Sequence, residues 1–452
     1  MTATLDELVK AYDVRGQESA LTEEVAYAFG VAAAIELVPT DGKLVVGRDM
    51  RPSSPTLAAA FARGAARQGV DVIDIGLTST DGLYFASGTF NAAGAMFTAS
   101  HNPAGYNGIK MCRPAAVPVA IDTGLATIRD LAKLALAKEP PPAATDPGTV
   151  TSRDITTEFA AHVRSFIDLD ALEPVRVVVD AGNGMAGHLW PQVVEHTAID
   201  THALYFELDG TFPNHPANPL EPENLRDLQT QVAQGDYALG LAFDGDADRV
   251  FAVDETGAPV SSSLIGAVVA DRLLAENPGA TVLYNLICSD TVRETIEAAG
   301  GNAVRTRVGH SYIKADMAET GAVYAVEHSG HFYFADNYRA DSGMIAALVL
   351  LEVVARAGKP LSEVVAPYDR YAASGEVNIE VADTDDAIAA VAAAYASAGE
   401  ADYTDGLTVR TDAGWFNLRA SNTEPLLRLN VEAPDTAQME ALRDEVLEAL
   451  GS

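Results

Sequence analysis

Four polar segments of this 452-residue sequence carry side chains that could do chemistry together. The first, Thr98-Ala-Ser-His-Asn-Pro103 and on to Lys110, sets the Ser100 hydroxyl beside the His101 imidazole, with Asn-Pro and Asn-Gly turns fixing the backbone. A free hydroxyl is a weak nucleophile, so Ser100 needs a base or a metal to accept and donate a phosphoryl or acyl group. Read alone, the segment is equally a serine-capped turn. The second, Asp244-Gly-Asp-Ala-Asp-Arg249, places carboxylates at alternating positions of a turn, where they can converge on one hard cation while Arg249 meets a phosphate oxygen. It is not an EF-hand loop, because the sixth place of such a loop is Gly and here it is Arg249. Carboxylates this close repel one another, so without a cation at least one is expected to stay protonated or turned away.

The third segment, Glu327-His-Ser-Gly-His331, has two readings. His328 and His331 could ligate a metal, although a spacing of three on a loop argues little for it. Alternatively Glu327 and Ser329 hold hydroxyls, a carboxylate that accepts two hydrogen bonds being a usual grip on a vicinal diol. The fourth, Arg419-Ala-Ser-Asn-Thr-Glu-Pro425, offers a phosphate charge, hydroxyls and backbone amides through Arg419, Ser421, Asn422 and Thr423, or else forms a capped hairpin turn. Asp180-Ala-Gly-Asn-Gly-Met-Ala-Gly187 also fits the Gly-x-Gly-x-x-Gly dinucleotide pattern, with Glu207 or Asp209 a little beyond the usual ribose-acid spacing; a plain strand-to-helix turn is the competing reading.

The elements that must position these groups repeat. Leu44 to Gly76, Val175 to Ile199 and Thr281 to Val304 share one plan: a β-branched run, a polar turn, an Ala-rich helix of about four turns, then a second apolar run. Each copy is followed by another apolar strand that ends in one of the first three polar segments. Ligands of open α/β sheets gather at the carboxyl ends of strands, so the loops predict a single cleft assembled by three related domains. Continuous apolar strands between helices predict mostly parallel or mixed sheets covered on both faces. The Pro-rich stretch Glu139 to Gly148 reads as a stiff, unpackable linker. From Glu376 the order strand, helix (Thr384 to Ala398), strands to Val431, helix (Thr436 to Leu450) predicts a smaller α+β domain. The expected fold is therefore α/β: three related mixed or parallel-sheet α/β domains over 1–145, 146–255 and 256–368, plus a C-terminal α+β domain over 369–452, around a central cleft.

Composition limits the partners. Thirty Lys and Arg against 64 Asp and Glu leave a net charge of −34, which repels phosphate backbones and anionic lipid and argues against nucleic-acid or membrane-surface binding. Two cysteines cannot form a disulfide framework, Met1 to Lys10 has no apolar core to serve as a signal peptide, and the greasy run Met344 to Ala357 is broken by Glu352 and Arg356. A cytoplasmic protein is expected.

Taken together, Ala11-Tyr-Asp-Val-Arg-Gly16 and the Ser100, Asp244, Glu327 and Arg419 loops, in that order over nearly the whole chain, resemble the α-D-phosphohexomutase family and its bacterial phosphomannomutase/phosphoglucomutase branch. The resemblance implies a phosphoserine at Ser100 and one Mg²⁺ per chain held by Ser100, Asp244, Asp246 and Asp248. It implies sugar hydroxyls at Glu327 and Ser329, and the phosphate not being transferred at Arg419, Ser421, Asn422 and Thr423. Arg15, Lys110, Arg249, Tyr12, His310 and His331 match positions lining the same cleft, and Lys110, His101 and Arg15 are candidates for proton transfer. The implied reaction interconverts hexose 1- and 6-phosphates of mannose or glucose through a 1,6-bisphosphate that turns end over end, which favours a mobile fourth domain; glucose 1,6-bisphosphate or a similar compound would act as activator, in a monomer or homodimer. The sequence departs from the pattern at Ile287, where many relatives have Lys and where Lys314 or Arg307 could compensate, and at His328 between Glu327 and Ser329. A phosphoglucosamine mutase is the alternative within the family; a dinucleotide-binding oxidoreductase or a non-catalytic sugar-phosphate sensor are alternatives outside it.

Overall fold

In the computed structural model, residues 2–137, 139, 141–420 and 426–451 are described. The chain divides into two compact units, Met1–Ser261 with Ser329–Val364, and Ser262–His328 with Val365–Ser452. The first unit holds two sheets. In one, Lys43–Arg48 lies between the parallel strands Asp71–Leu77 and Ala93–Phe97, and the chain then reverses so that Tyr106–Arg113 and Val14–Gln17 add antiparallel strands. In the other, Val175–Asp180 lies between the parallel strands Ile199–Leu204 and Leu239–Phe243, and Val250–Asp254 returns antiparallel to the last of these. Every residue of Ala93–Phe97 and of Leu239–Phe243 is buried, as the unbroken apolar runs require of strands covered on both faces. These two strands deliver the serine and aspartate loops at their carboxyl ends.

The greasy run near residue 350 becomes the helix Gly343–Ala357 of the first unit, opened by the Ser342 side chain on Ile345 N and closed by Gly358 at φ 59°. Its one buried acid, Glu352, is fully buried; it accepts from Asp168 N at 3.0 Å and pairs with Arg356 at 2.9 Å, which meets the rule that buried charges are paired. Among the described residues no helix is long and apolar enough to cross a membrane.

In the second unit Thr281–Asn285 pairs in parallel with Asn302–Thr306 and Tyr324–Val326. The C-terminal part is a five-stranded antiparallel sheet in the order Ala372–Glu380, Leu426–Ala433, Gly414–Ala420, Leu407–Thr411, Glu400–Asp402. Alternate residues Leu427, Leu429 and Val431 bury one face against Val391 of the helix Thr384–Ala394 and Leu442 and Val446 of Thr436–Ala449.

Three expectations need correction. The helices of the second and third copies, Ala186–Val194 and Asp290–Ala298, have nine residues each, short of four turns; the first of them ends where Glu195 turns to ψ 130° and His196 to φ 64°. The helix begun at Thr384 stops at Ala394: the Tyr395 amide makes a last helical bond to Val391 O, and the chain then tightens into turns in which Ala396 N and Ala398 N donate to Ala393 O and Tyr395 O. The Pro-rich linker is not unpackable: Ala144 N and Gly148 N donate to Arg67 O and Ala66 O, and Val150–Ser152 then joins the edge of the first sheet beside Asp71–Leu77, past the expected boundary at 145.

Candidate active site

The turn after Ala93–Phe97 is built to present one hydroxyl. Thr98 Oγ1 accepts from Ser100 N at 2.9 Å, and Ser100 itself takes the left-handed conformation at φ 48°, a region that side-chain-bearing residues seldom hold. Its hydroxyl donates to Asp244 Oδ2 at 2.7 Å and lies 3.1 Å from His101 Nδ1 and 3.4 Å from Arg249 Nη2. The serine and aspartate loops fit backbone to backbone: a Cβ on Gly245 would lie 2.5 Å from Ser100 O, so only glycine allows this approach.

Asp244, Asp246 and Asp248 are all buried, and one ligand atom of each lies within 4.8 Å of the others. Their partners differ. Asp244 Oδ2 faces Arg249 Nε and Nη2 at 2.9 and 2.8 Å, and Oδ1 accepts from Arg249 N. Asp246 Oδ2 accepts from Thr80 Oγ1 at 2.5 Å and from Lys110 Nζ at 2.8 Å, and the same ammonium reaches Asp248 Oδ2 at 2.5 Å. Asp246 Oδ1 and Asp248 Oδ1 are buried with no hydrogen-bond partner among the described residues. Orphaned anionic oxygens inside a protein are costly, and two of them on neighbouring carboxylates suit a hard divalent cation with oxygen ligands.

The charges sort accordingly. Burial, and then the repulsion of Asp248 and Asp246, push the Asp244 carboxyl up to about 8 against the opposing pull of Arg249. This meets the expectation that one of the three resists ionisation. Burial also works against an ionised Asp246, but the Lys110 charge and the Lys110 and Thr80 hydrogen bonds overcome it and hold Asp246 below the carboxylate range. Lys110 keeps its proton firmly, since Asp246 and Asp248 outweigh its burial. His101 is driven well below the ordinary imidazole value, first by burial and then by the Arg249 and Arg15 charges, and is therefore neutral.

Arg15 and Lys110 come from the two antiparallel strands beside the serine turn. Arg15 pairs with Asp13 Oδ2 at 2.6 Å and donates to Asn102 Oδ1 at 2.8 Å, inside the serine loop. Tyr12 stands half-buried in the bend just before Val14–Gln17. His331 pairs by a backbone bridge with Arg249; its Nδ1 lies 3.1 Å from Ser329 Oγ and its Nε2 3.8 Å from both Asp248 Oδ1 and Asp341 Oδ2. Ser329 thus orients His331 toward the aspartates.

In the second unit Glu327 is buried, its Oε1 accepting from Gly309 N at 3.1 Å and Asn285 Nδ2 at 3.2 Å. His310 opens the helix His310–Thr320, which also carries the buried Lys314. Ile287 is buried, and His328 Nδ1 lies 3.0 Å from Ser263 Oγ. His328 and His331 are each tied to a serine, which does not support the paired-histidine metal reading. Arg419 is buried on Gly414–Ala420 and donates to Glu376 Oε2 at 3.1 Å; Ser421, Asn422 and Thr423 lie outside the described residues.

The amides from Gly182 to Met185 in the glycine-rich turn after Val175–Asp180 are already taken and are not offered to a pyrophosphate. Gly182 N donates to Asp180 Oδ1, Asn183 N to Tyr205 O, Gly184 N to Ala181 O and Met185 N to Gly245 O. The last of these makes the turn a brace for the aspartate loop. Sequence reasoning missed two contributors, Thr80 and Asp341. Thr80 follows the helix cap Ser79 and reads as helix start; Asp341 precedes the cap Ser342 in the same way.

A hydroxyl aimed at a buried carboxylate set suited to a cation, with lysine and arginine around it, defines a site for phosphoryl transfer. The comparisons agree with that class. Phosphoglucomutase/phosphomannomutase alpha/beta/alpha domains I, II and III match residues 6–135, 157–257 and 261–371, and the C-terminal domain of the same set matches 376–449. The sequence is 40% identical over 442 residues to the phosphohexose mutases of Xanthomonas campestris, covering 97% of each chain. It is 36% identical over 444 residues to the phosphomannomutase/phosphoglucomutase of Pseudomonas aeruginosa, covering 96% of this chain and 94% of that one. A crystal structure of a phosphoglucomutase/phosphomannomutase family protein from Burkholderia thailandensis matches with a TM-score of 0.89 at 32% identity, over 98% of this chain and 97% of that one. The chain belongs to the phosphoglucomutase/phosphomannomutase family of phosphohexomutases.

Proposed function

We propose that this enzyme interconverts the 1- and 6-phosphates of mannose or glucose, with Ser100 as the phosphoryl carrier. The observation that carries the reading is the Ser100 hydroxyl 2.7 Å from Asp244, within a carboxylate set that keeps two buried oxygens without a hydrogen bond among the described residues. In the first half-reaction a sugar hydroxyl oxygen bonds to the phosphorus on Ser100, the Oγ–P bond breaks, and the proton of that hydroxyl ends on Oγ. In the second, Oγ attacks the other phosphate of the bisphosphate, the sugar O–P bond breaks, and the proton returns to the sugar oxygen. No phosphate is consumed. Glucose 1,6-bisphosphate primes the cycle by the second of these steps.

Asp244, Asp246, Asp248 and an oxygen on Ser100 would hold one Mg²⁺, which when bound neutralises charge on the phosphoryl oxygens. The chain's own groups do the rest. Arg249 reaches both Asp244 and the Ser100 hydroxyl and so meets a phosphoryl group placed on that serine. Neutral His101, its Nδ1 3.1 Å from Oγ, is the imidazole placed to take the proton, whereas Lys110 and Arg15 stay charged and act as fixed cations rather than bases. His331, held by Ser329, adds a donor on the far side of Asp248. Glu327 has one oxygen committed to Gly309 and Asn285, an anchored carboxylate of the kind that grips sugar hydroxyls, and Arg419 is the group offered to the distal phosphate.

The test is an intact-mass measurement before and after glucose 1,6-bisphosphate, followed by coupled assays on mannose, glucose and glucosamine 1-phosphates with and without chelator. A gain of one phosphoryl that Ser100→Ala abolishes, with turnover on mannose or glucose substrates that chelator stops, is the expected result. Binding without turnover would make the protein a sensor, and preference for the amino sugar would make it a phosphoglucosamine mutase.

A further inference from the structure

The serine turn carries a backbone problem that its reacting groups do not solve. Ser100 is held at φ 48°, and the carbonyls of Ser100, Asn102, Pro103 and Tyr106 all point at one side chain. That side chain is Arg51, 1% exposed, on the turn after Lys43–Arg48. Its Nη2 donates to Ser100 O at 2.8 Å and Asn102 O at 2.7 Å, and its Nη1 to Pro103 O and Tyr106 O at 3.0 Å each.

The arginine is itself clamped. Nε lies 3.2 Å from Asp49 Oδ2 in a fully buried ion pair, while Asp49 Oδ1 accepts from Arg51 N and Ser54 Oγ. The Phe212 ring sits 5.1 Å from the guanidinium carbon, and a Cβ on Gly210 would come 2.6 Å from Arg51 Cα, so the turn around 210 closes over it. Arg51 meets Ser100 at the carbonyl and not at the hydroxyl.

We infer that Arg51 is a positioning residue for the phosphoryl-carrying serine: one planar fork collects four carbonyls of the turn and thereby sets the direction of the Ser100 hydroxyl. This rests on the reading of Ser100 as carrier. Lysine in the same place keeps a charge for Asp49, but its single nitrogen cannot span four carbonyls set out for a planar fork. A misdirected Oγ slows both half-reactions, since displacement of a reacting atom by about 1 Å costs roughly 100-fold. Substrate contacts are untouched, so KM stays.

The experiment compares the full-length enzyme with Arg51→Lys, Asp49→Asn and Ser100→Ala. It records thermal unfolding, kcat and KM on glucose 1-phosphate, and the rate at which glucose 1,6-bisphosphate adds mass to the enzyme. Arg51→Lys is expected to fold, to lose roughly 30- to 100-fold in kcat and in phosphorylation rate, and to keep KM within about threefold. Asp49→Asn, which loosens the clamp while keeping the acceptor, is expected to lose several-fold in kcat at constant KM. A folded Arg51→Lys with normal kcat, or one whose loss falls on KM, overturns the inference. Should Arg51→Lys fail to fold, a normal kcat in Asp49→Asn overturns it instead. Turnover surviving in Ser100→Ala sinks the carrier reading itself, whatever the Arg51 variants do.

Discussion

Replacing Thr80 with Val removes one oxygen from the site and almost no volume. Thr80 Oγ1 donates to Asp246 Oδ2 at 2.5 Å in a buried setting, while Thr80 N donates to Asp246 O at 3.1 Å and survives the change. A hydrogen bond to a charged group contributes about 1.5–3 kcal/mol. At about 1.4 kcal/mol per tenfold, its loss translates to roughly 10- to 100-fold if all of it is felt by whatever binds the carboxylate. That range matches the usual effect of removing a group that holds a metal ligand in place. Lys110 still holds Asp246, so the carboxylate stays in the site but turns more freely. The expected outcome is an Mg²⁺ concentration for half-maximal activity raised 10- to 100-fold, a kcat at saturating Mg²⁺ within about threefold of the parent, and full recovery in Thr80→Ser. The assay is a Mg²⁺ titration of steady-state turnover, with thermal unfolding as a check on folding. An unchanged Mg²⁺ requirement in a folded Thr80→Val would refute the argument that this hydroxyl orients a metal-holding carboxylate.

Three further outcomes follow from single contacts. Lys110→Met leaves two buried carboxylates without their cation; breaking such a pair costs about 3–5 kcal/mol, so urea unfolding in chelator should show a loss of that order, and parental stability would contradict the pairing. Arg419→Ala is expected to raise KM for hexose phosphate more than it lowers the phosphoserine yield from glucose 1,6-bisphosphate, as measured by mass; equal losses would remove Arg419 from the distal phosphate. Finally, burial works against a charged His215, but Asp180 at 3.0 Å outweighs it and raises the imidazole above its ordinary 6.5. Its stabilisation is therefore complete below the unfolded value and lost as pH rises through the raised one. Unfolding temperatures from pH 6 to 9 should fall less steeply in His215→Asn than in the parent, and identical slopes would dismiss the pair.

The serine and aspartate loops were legible because two separate regularities coincide on them: each ends a continuous apolar strand, and each packs more polar groups than a turn needs. The C-terminal sheet was legible for a related reason, the period of two from Leu427 to Val431. What escaped are residues whose identity has an ordinary explanation. Thr80 reads as the first residue of a helix, and nothing in Ser79-Thr80-Asp81 discloses that its hydroxyl faces an aspartate 166 positions later. Arg51 follows Asp49 at a strand end, where one more charged residue draws no notice; only the fold shows four carbonyls converging on it. The glycine pattern after Val175–Asp180 misled in the opposite direction. The pattern reports that backbone approaches closely there, but not whether a ligand or another loop does the approaching, and here it is the backbone of Gly245.

Charge at the site suggests why its parts must act together on the proposed reading. Among the described residues, the lysine and arginine side chains paired directly with Asp244, Asp246 and Asp248 are Lys110 and Arg249, since Arg15 is matched by Asp13 and Arg51 by Asp49. Once Asp244 ionises, three negatives against two positives leave an excess of one negative charge, inside a chain that is already at −34. That is a poor place for a phosphoryl dianion. A divalent cation reverses the sign to one positive, and no single protein group in the site then carries as much charge as the ion. The same cation relieves the repulsion that keeps Asp244 reluctant to ionise. By reciprocity, a phosphoryl group on Ser100 must strengthen cation binding by the factor that the cation strengthens the phosphoserine. Cation and phosphoserine are thus expected to enter and leave as a pair, with Asp244, which touches the Ser100 hydroxyl on one side and Arg249 on the other, as the residue through which each senses the other.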